Sequence, residues 1–224
     1  MATITAEPAR RASGKARTVP PLENGDRLTS VEFMRRYKAM PHIKKAELIE
    51  GIVYMGSPVR ADVHGEPDGL LQLWIGTYTL RYPGLKFYPN STLLLAPDNT
   101  PQPDCMLCRP KEQGGRSWMN EDGYICGAPE LVCEVAASSV AIDLHKKFRA
   151  YQRNGIAEYL VWNAEEKRAR WFALDQQQYV ELQETAGLLV SRVFPGLALD
   201  VQALAAADAP KLIATLEKHL AATR

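Results

Sequence analysis

Apolar residues recur along this chain with two periods, and the alternation between them predicts helices and strands in a mixed order. Thr29 and Glu32 have the spacing of a capping box, and Val31, Phe33, Met34 and Tyr37 supply the apolar positions of a short helix that Pro41 ends. The stretch from Ala46 to Met55 favours two short strands about a tight turn at Glu50-Gly51, with Glu47 and Ile49 on one face of the first. Leu70, Leu71, Leu73, Trp74, Ile75 and Tyr78 predict a helix over 69–82, with Pro67 at its first position and His64 just outside its start. Strand character returns over 85–95, broken at Pro89-Asn90, and a turn follows at Asp98–Pro101. Asp104 opens a strand whose Cys105–Cys108 run suggests burial on both faces.

Residues 109–129, with Gly114-Gly115 and Asn120-Glu121-Asp122-Gly123, read as the longest irregular stretch, a loop able to cover a ligand. A buried strand is predicted over 130–136. A helix capped by Ser138 or Ser139 then runs to Asn154-Gly155, with Ala141, Leu144, Phe148 and Tyr151 on its packing face. Glu158–Trp162 is a further strand. An antiparallel meander is expected over 168–174, 178–183 and 188–192, and helices over 199–206 and 211–222 close the chain. The fold class is therefore α/β: a mixed sheet with a helix on each face and a peripheral antiparallel meander.

Composition narrows the function classes. The chain has 224 residues, 46% of them hydrophobic and 24% charged, enough for one domain with a sizeable core. A net charge of +1 gives no overall attraction for nucleic acid, so any polyanion must be held by a local patch. No apolar run approaches a membrane span and no secretory signal is visible, which leads to a cytoplasmic expectation. Residues 1–27, with Arg10, Arg11, Lys15 and Arg17 nearly unopposed, read as a disordered basic tail. A transit peptide and a non-specific grip on phosphates are the other readings of that composition. Cys105, Cys108, Cys126 and Cys133 are expected to be reduced, mostly buried thiols rather than a zinc site, because Cys105 and Cys108 would point to opposite faces of one strand.

Three charged groups break the apolar pattern. Asp104 follows Pro103, Glu134 sits inside the run Leu131–Ala136, and Lys147 lies on the periodic helix that follows. A carboxylate in a buried strand costs several kcal/mol, on the order expected for such groups, unless it is paired or binds a cation. Two carboxylates with a nearby lysine suit a hard cation such as Mg²⁺, and hydrolysis of a phosphodiester is the natural chemistry for the trio. The competing assignments are a structural buried ion pair for Glu134, turn chemistry for Asp104, and a surface ion pair with Asp143 for Lys147. Trp118, Trp162 and Trp171 are read as packing residues rather than base-stacking platforms.

Several short motifs in order carry a resemblance. They are Glu47-Leu48-Ile49-Glu50-Gly51, a His after Ser57-Pro58, Gln102-Pro103-Asp104, Ala128–Val135, Asp143–Lys147, Gly155–Tyr159 and Phe194-Pro195-Gly196-Leu197. Over residues 28–206 the chain resembles the Uma-two family of restriction-endonuclease-like proteins, in the PD-(D/E)XK nuclease superfamily. The resemblance implies a restriction-endonuclease-like domain over 28–206, followed by a C-terminal helix at 207–224.

It further implies a divalent-metal-dependent endonuclease acting on DNA through a metal-activated water. Asp104 and Glu134 would hold Mg²⁺ or Mn²⁺, Lys147 would stand for the superfamily lysine, and Glu47 and His64 would be nearby catalytic groups. Homodimers are a further implication. Two departures stand out: Ala136 occupies the commonest lysine position, and Gly65-Glu66-Pro67-Asp68 interrupts the helix after His64. The alternatives are a catalytically inactive nuclease-like module that binds nucleic acid or a protein partner, and a dimerisation module built on the meander.

Overall fold

The structure is a computed structural model, and it describes residues 19–56, 58–137 and 142–223. Its centre is a six-stranded sheet of β3 (Lys86–Pro89), β5 (Cys105–Cys108), β8 (Leu131–Ala136), β9 (Glu158–Asn163), β10 (Arg168–Asp175) and β11 (Gln178–Glu181). Across the sheet their order is β11-β10-β9-β8-β5-β3. Only β8 and β9 run parallel, and the chain crosses between them through the helix α3 (Phe148–Arg153); the other neighbours are antiparallel.

Strand alternation divides the core in two. Cys105, Leu107, Leu131, Cys133 and Val135 face α2 (Glu66–Thr79), where Leu71, Trp74, Ile75 and Tyr78 pack against them. Met106, Cys108, Val132 and Ala136 face Tyr151 of α3 on the other side. Glu134 shares that second face, so its carboxylate enters the sheet on the side of α3. Cys105 and Cys108 thus belong to different cores, and Cys105 lies opposite Cys133 across the ladder. Leu212, Leu216 and Leu220 of α5 (Ala209–Ala222) join the core beneath α2. Trp74 anchors this layer edge-on against Trp171, at 5.8 Å between ring centroids, and donates to the carbonyl of Ala198 at 2.9 Å.

A smaller layer packs at the sheet's end. The hairpin β1 (Ala46–Ile49) and β2 (Ile52–Met55) turns at Glu50 and Gly51, both with positive φ (52° and 75°), as a two-residue hairpin of the primed type requires. Phe33 and Met34 of α1 (Ser30–Lys38) cover it together with Leu22. Thr29 caps α1 by accepting from the Glu32 N–H, but the Glu32 carboxylate turns to Arg35 and Arg36 instead of closing a capping box. Leu48 and Thr100 exchange backbone hydrogen bonds, which fixes the hairpin beside the segment leading into β5.

Several expectations are corrected. The supposed loop at 109–129 contains a hairpin of β6 (Arg116–Met119) and β7 (Ile125–Ala128), which joins β4 (Leu93–Leu94) in a three-stranded sheet. Its strands are short and its turn is charged, so the periodic signal was weak; no residue of it lines the cleft described below. The first two meander strands extend the central sheet, while the third, β12 (Leu188–Val190), pairs with β13 (Ala198–Asp200). That strand takes the first residues of an expected helix, leaving Val201–Ala205 for α4. Gly65–Asp68 interrupts nothing: a π-helical turn over Ala61–Gly65 runs directly into α2, with Pro67 accommodated in the first turn. Residues 19–27, assigned to the tail, are largely exposed but tied to the hairpin: Leu22 is buried, the Gly25 N–H donates to the Val53 carbonyl, and the Asp26 carbonyl accepts from the Val53 N–H. Residues 1–18 and the cap at Ser138 or Ser139 lie outside the described residues.

Gly127 holds a positive φ of 83°, and a Cβ there would lie 2.4 Å from the Arg116 carbonyl oxygen and 2.8 Å from the Trp118 ring. Gly127→Ala is therefore expected to cost about 1–3 kcal/mol through backbone strain and the clash. Chemical denaturation checks this, and an unchanged midpoint would show that the hairpin absorbs the methyl group.

Candidate active site

The antiparallel register that sets Cys105 against Cys133, continued by one residue, places Asp104 across from Glu134. The Val135 N–H donates to Asp104 Oδ2 at 2.8 Å, which ties the end of β5 to β8. Both carboxylates are about 2% exposed, at the base of a cleft of about 710 Å³. Its walls include Lys45, Glu47, Arg60, His64 and Lys147. All five residues singled out from the sequence, Asp104, Glu134, Lys147, Glu47 and His64, line this one cleft.

Lys147 is a buried lysine, its side chain 4% exposed, and not the solvated helix residue its neighbourhood allowed. Its Nζ lies 3.0 Å from Glu134 Oε1 and 3.0 Å from Glu47 Oε1, bridging β8 and β1. Asp143, the other partner considered for it, has a side chain outside the described residues. Glu47 Oε1 also accepts the Gln102 N–H at 2.7 Å, so the hairpin is fastened to the segment preceding Asp104. Glu134 Oε1 further accepts from the Tyr151 hydroxyl at 2.8 Å. Burial pushes the Tyr151 hydroxyl well above the ordinary tyrosine range, with the Glu134 charge adding to the shift, so it serves as a fixed donor.

Asp104 is held from the other side. Lys45 Nζ stands 3.1 Å from Oδ1, and His64 Nε2 stands 3.4 Å from Oδ2. Burial alone would raise the Asp104 pKa, but His64, Lys45 and the Val135 N–H outweigh it and keep the carboxyl well below the ordinary range. Asp104 in turn raises the His64 pKa, against the opposing effect of burial. The sign follows by linkage: the His64 contribution to stability is full below the ordinary histidine value and is lost as pH rises through the raised folded value. An NMR titration of metal-free protein should therefore place the His64 midpoint above the ordinary value and lower it in Asp104→Asn. An unchanged midpoint in that variant would break the pairing.

Lys45 and Tyr151 were not singled out from the sequence as site residues. Each had a signal: Lys45 is two residues before Glu47, where strand alternation puts both on one face, and Tyr151 is one helical turn after Lys147. Conversely, buried carboxylates at Glu130 and Glu158 stay out of the cleft. Glu130 accepts from the backbone N–H groups of Arg109 and Arg116, and Glu158 from Ser191, Arg192 and Val193. What separates Glu134 from these is its partners, a lysine and a tyrosine side chain, and its place on the cleft.

Among the described residues, no three of His, Cys, Asp and Glu form a ready-made metal cluster. The donor set is instead two carboxylates facing each other, hard oxygen ligands of the number Mg²⁺ commonly takes from protein while it keeps its remaining waters. Such a set suits a hard divalent cation such as Mg²⁺ or Mn²⁺. Also among the described residues, no helix is long and apolar enough to cross a membrane.

Comparison with known proteins agrees with this architecture. No curated protein matches the chain. A crystal structure described as that of "a putative nuclease belonging to DUF820" from Anabaena variabilis is similar, with a TM-score of 0.60 and 16% identity, covering 78% of this chain and 97% of that one. At that identity the likeness concerns the fold, a mixed sheet flanked by helices. The sequence profile of the Uma2 family, described as "Putative restriction endonuclease", matches residues 31–202. That span takes in both cleft carboxylates, Lys147 and the crossover helix between β8 and β9, and the chain belongs to the Uma2 family.

Proposed function

We propose that the chain is a divalent-metal-dependent endonuclease that hydrolyses DNA phosphodiester bonds, with its catalytic domain over residues 28–206. The observation that carries this reading is the placement of Asp104 across from Glu134 at the base of a cleft, with Lys147 buried against Glu134 and Glu47. A purely structural ion pair has no need of an open cleft above it. Membership of the Uma2 family supports the same chemistry.

Asp104 and Glu134 are the metal ligands in this reading, and Mg²⁺ or Mn²⁺ is the cation. When bound, the ion supplies a more acidic water and offsets the charge of the phosphodiester. The chain's own residues do the positioning. Tyr151 and Lys147 fix the Glu134 carboxylate from the α3 side, while Val135 and His64 fix Asp104 from the strand and α2 sides. Lys147, held by two carboxylates at 3.0 Å each, presents a preorganised positive charge for the phosphorane-like transition state. Glu47 keeps that ammonium in place and, through the Gln102 N–H, locks its own strand to the approach to Asp104.

A second reading, a nuclease-like module that binds nucleic acid without cutting it, draws on two observations. Ala136 stands where the superfamily most often has its lysine, and both cleft carboxylates already carry lysine partners. Incubation of supercoiled plasmid with the purified chain separates the two. Nicked or linear product with Mg²⁺ or Mn²⁺, and none with chelator, is the expected result. Folded protein that shifts DNA in a gel but yields no product with any divalent ion would establish the second reading.

A further inference from the structure

Lys45 differs from Lys147 in ways that set its role apart. Its side chain is 31% exposed, against 4% for Lys147, and it lies just before β1 rather than on a packed helix. Its ammonium rests 3.1 Å from Asp104 Oδ1, while Oδ2 is taken by the Val135 N–H and His64. Oδ1 is thus the Asp104 oxygen whose partner is a flexible, partly solvated cation. Gly56 shapes the path of that side chain: a Cβ at Gly56 would stand 3.1 Å from Lys45 Cβ and 3.4 Å from its Cγ. Burial works against the charge, but the carboxylates of Asp104, Glu47 and Glu134 keep it in the ammonium form.

We propose that Lys45 is the exchangeable counter-cation of the cleft: it pairs with Asp104 in the metal-free protein, yields that oxygen to a divalent ion, and then holds the phosphate of the bound strand. This rests on the metal-dependent reading above. An ammonium and a divalent ion seek the same carboxylate oxygen, and at this separation in a partly desolvated cleft their mutual repulsion is strong. Binding of the ion therefore requires the ammonium to swing away, which a four-carbon stem exposed to the cleft permits. Once released, the same charge lies in the cleft that the phosphodiester enters. Metal and DNA then favour each other's binding, and the coupling is reciprocal. Lys147, pinned by two carboxylates in the interior, does not exchange.

The test is calorimetric titration of Mn²⁺, without DNA, into the wild-type chain, Lys45→Met, Lys45→Arg and Asp104→Asn, with circular dichroism melts confirming that each is folded. Lys45→Met is expected to bind Mn²⁺ at least tenfold more tightly than wild type, Lys45→Arg to resemble wild type, and Asp104→Asn to lose binding. In a second measurement, with Ca²⁺ as the ion, Lys45→Met should bind a short DNA duplex at least tenfold more weakly, and its binding should depend less on Ca²⁺. Equal Mn²⁺ affinity in wild type and Lys45→Met overturns the exchange while leaving the metal site standing. Absence of Mn²⁺ binding in every folded variant overturns the metal reading and this inference with it. If Lys45→Met does not fold, Lys45→Gln serves in its place with the same expectations.

Discussion

Glu134→Gln is expected to lower the plasmid-cleavage rate at least about 10²- to 10³-fold, the scale on which a lost electrostatic group at a reacting centre acts. The fold should survive, because Gln keeps the shape of the side chain and still offers an oxygen to Lys147 and Tyr151, which lie at 3.0 and 2.8 Å from Glu134 Oε1. What it removes is the negative charge on which the proposed metal site relies. The control is built into the molecule. Glu130 and Glu158 are as deeply buried but accept hydrogen bonds from backbone N–H groups away from the cleft. Glu130→Gln and Glu158→Gln should alter the melting temperature and leave the rate per folded molecule nearly unchanged. Comparable rate losses in all three would mean that burial of charge, and not the cleft, explains Glu134.

Lys147→Met should produce the largest loss of stability. It leaves Glu47 and Glu134, whose oxygens both lie 3.0 Å from the lysine nitrogen, without the cation between them. Breaking a buried ion pair from one side typically costs about 3–5 kcal/mol. For a chain of this size that is a fall in melting temperature on the order of 10 °C, at roughly 2–4 °C per kcal/mol. Adding Glu47→Gln to Lys147→Met should restore part of the loss by removing one of the two buried negative charges that have lost their lysine partner. Thermal melts of the single and double variants check both points. A melting temperature within a degree or two of wild type at neutral pH would mean that the two carboxylates are not confined as described.

The parts of the molecule that were legible in the sequence are those where local pattern and tertiary role coincide. The β8 run and the α2 face could be read because their apolar periods are also their burial patterns. Glu134 could be read because a charge in such a run has to be explained. The hairpin at 116–128 escaped because its strands are four residues each and β6 is largely exposed, with Trp118 61% accessible, so no alternation marks them. The partner of β12 was hidden for a different reason: which strand pairs with which is decided by non-local packing. The same limit applied to Lys45. Its register with Glu47 was visible, but its contact with Asp104 joins residues 59 positions apart and depends on how the β1 hairpin is set beside Thr100. The interruption read at Gly65–Asp68 does not occur, because a first helical turn tolerates both Gly and Pro.

Asp104 and Glu134 together are expected to hold a divalent cation that cleavage requires. Calorimetric titration of Mg²⁺ and Mn²⁺ into the wild-type chain and into Glu134→Gln, with plasmid nicking followed on the same samples, decides the matter. Wild type is expected to bind the ion and nick the plasmid, and the variant to lose both. Binding by neither protein, with no nicking under any divalent ion, would contradict this and leave the cleft carboxylates as structural partners of Lys45 and Lys147.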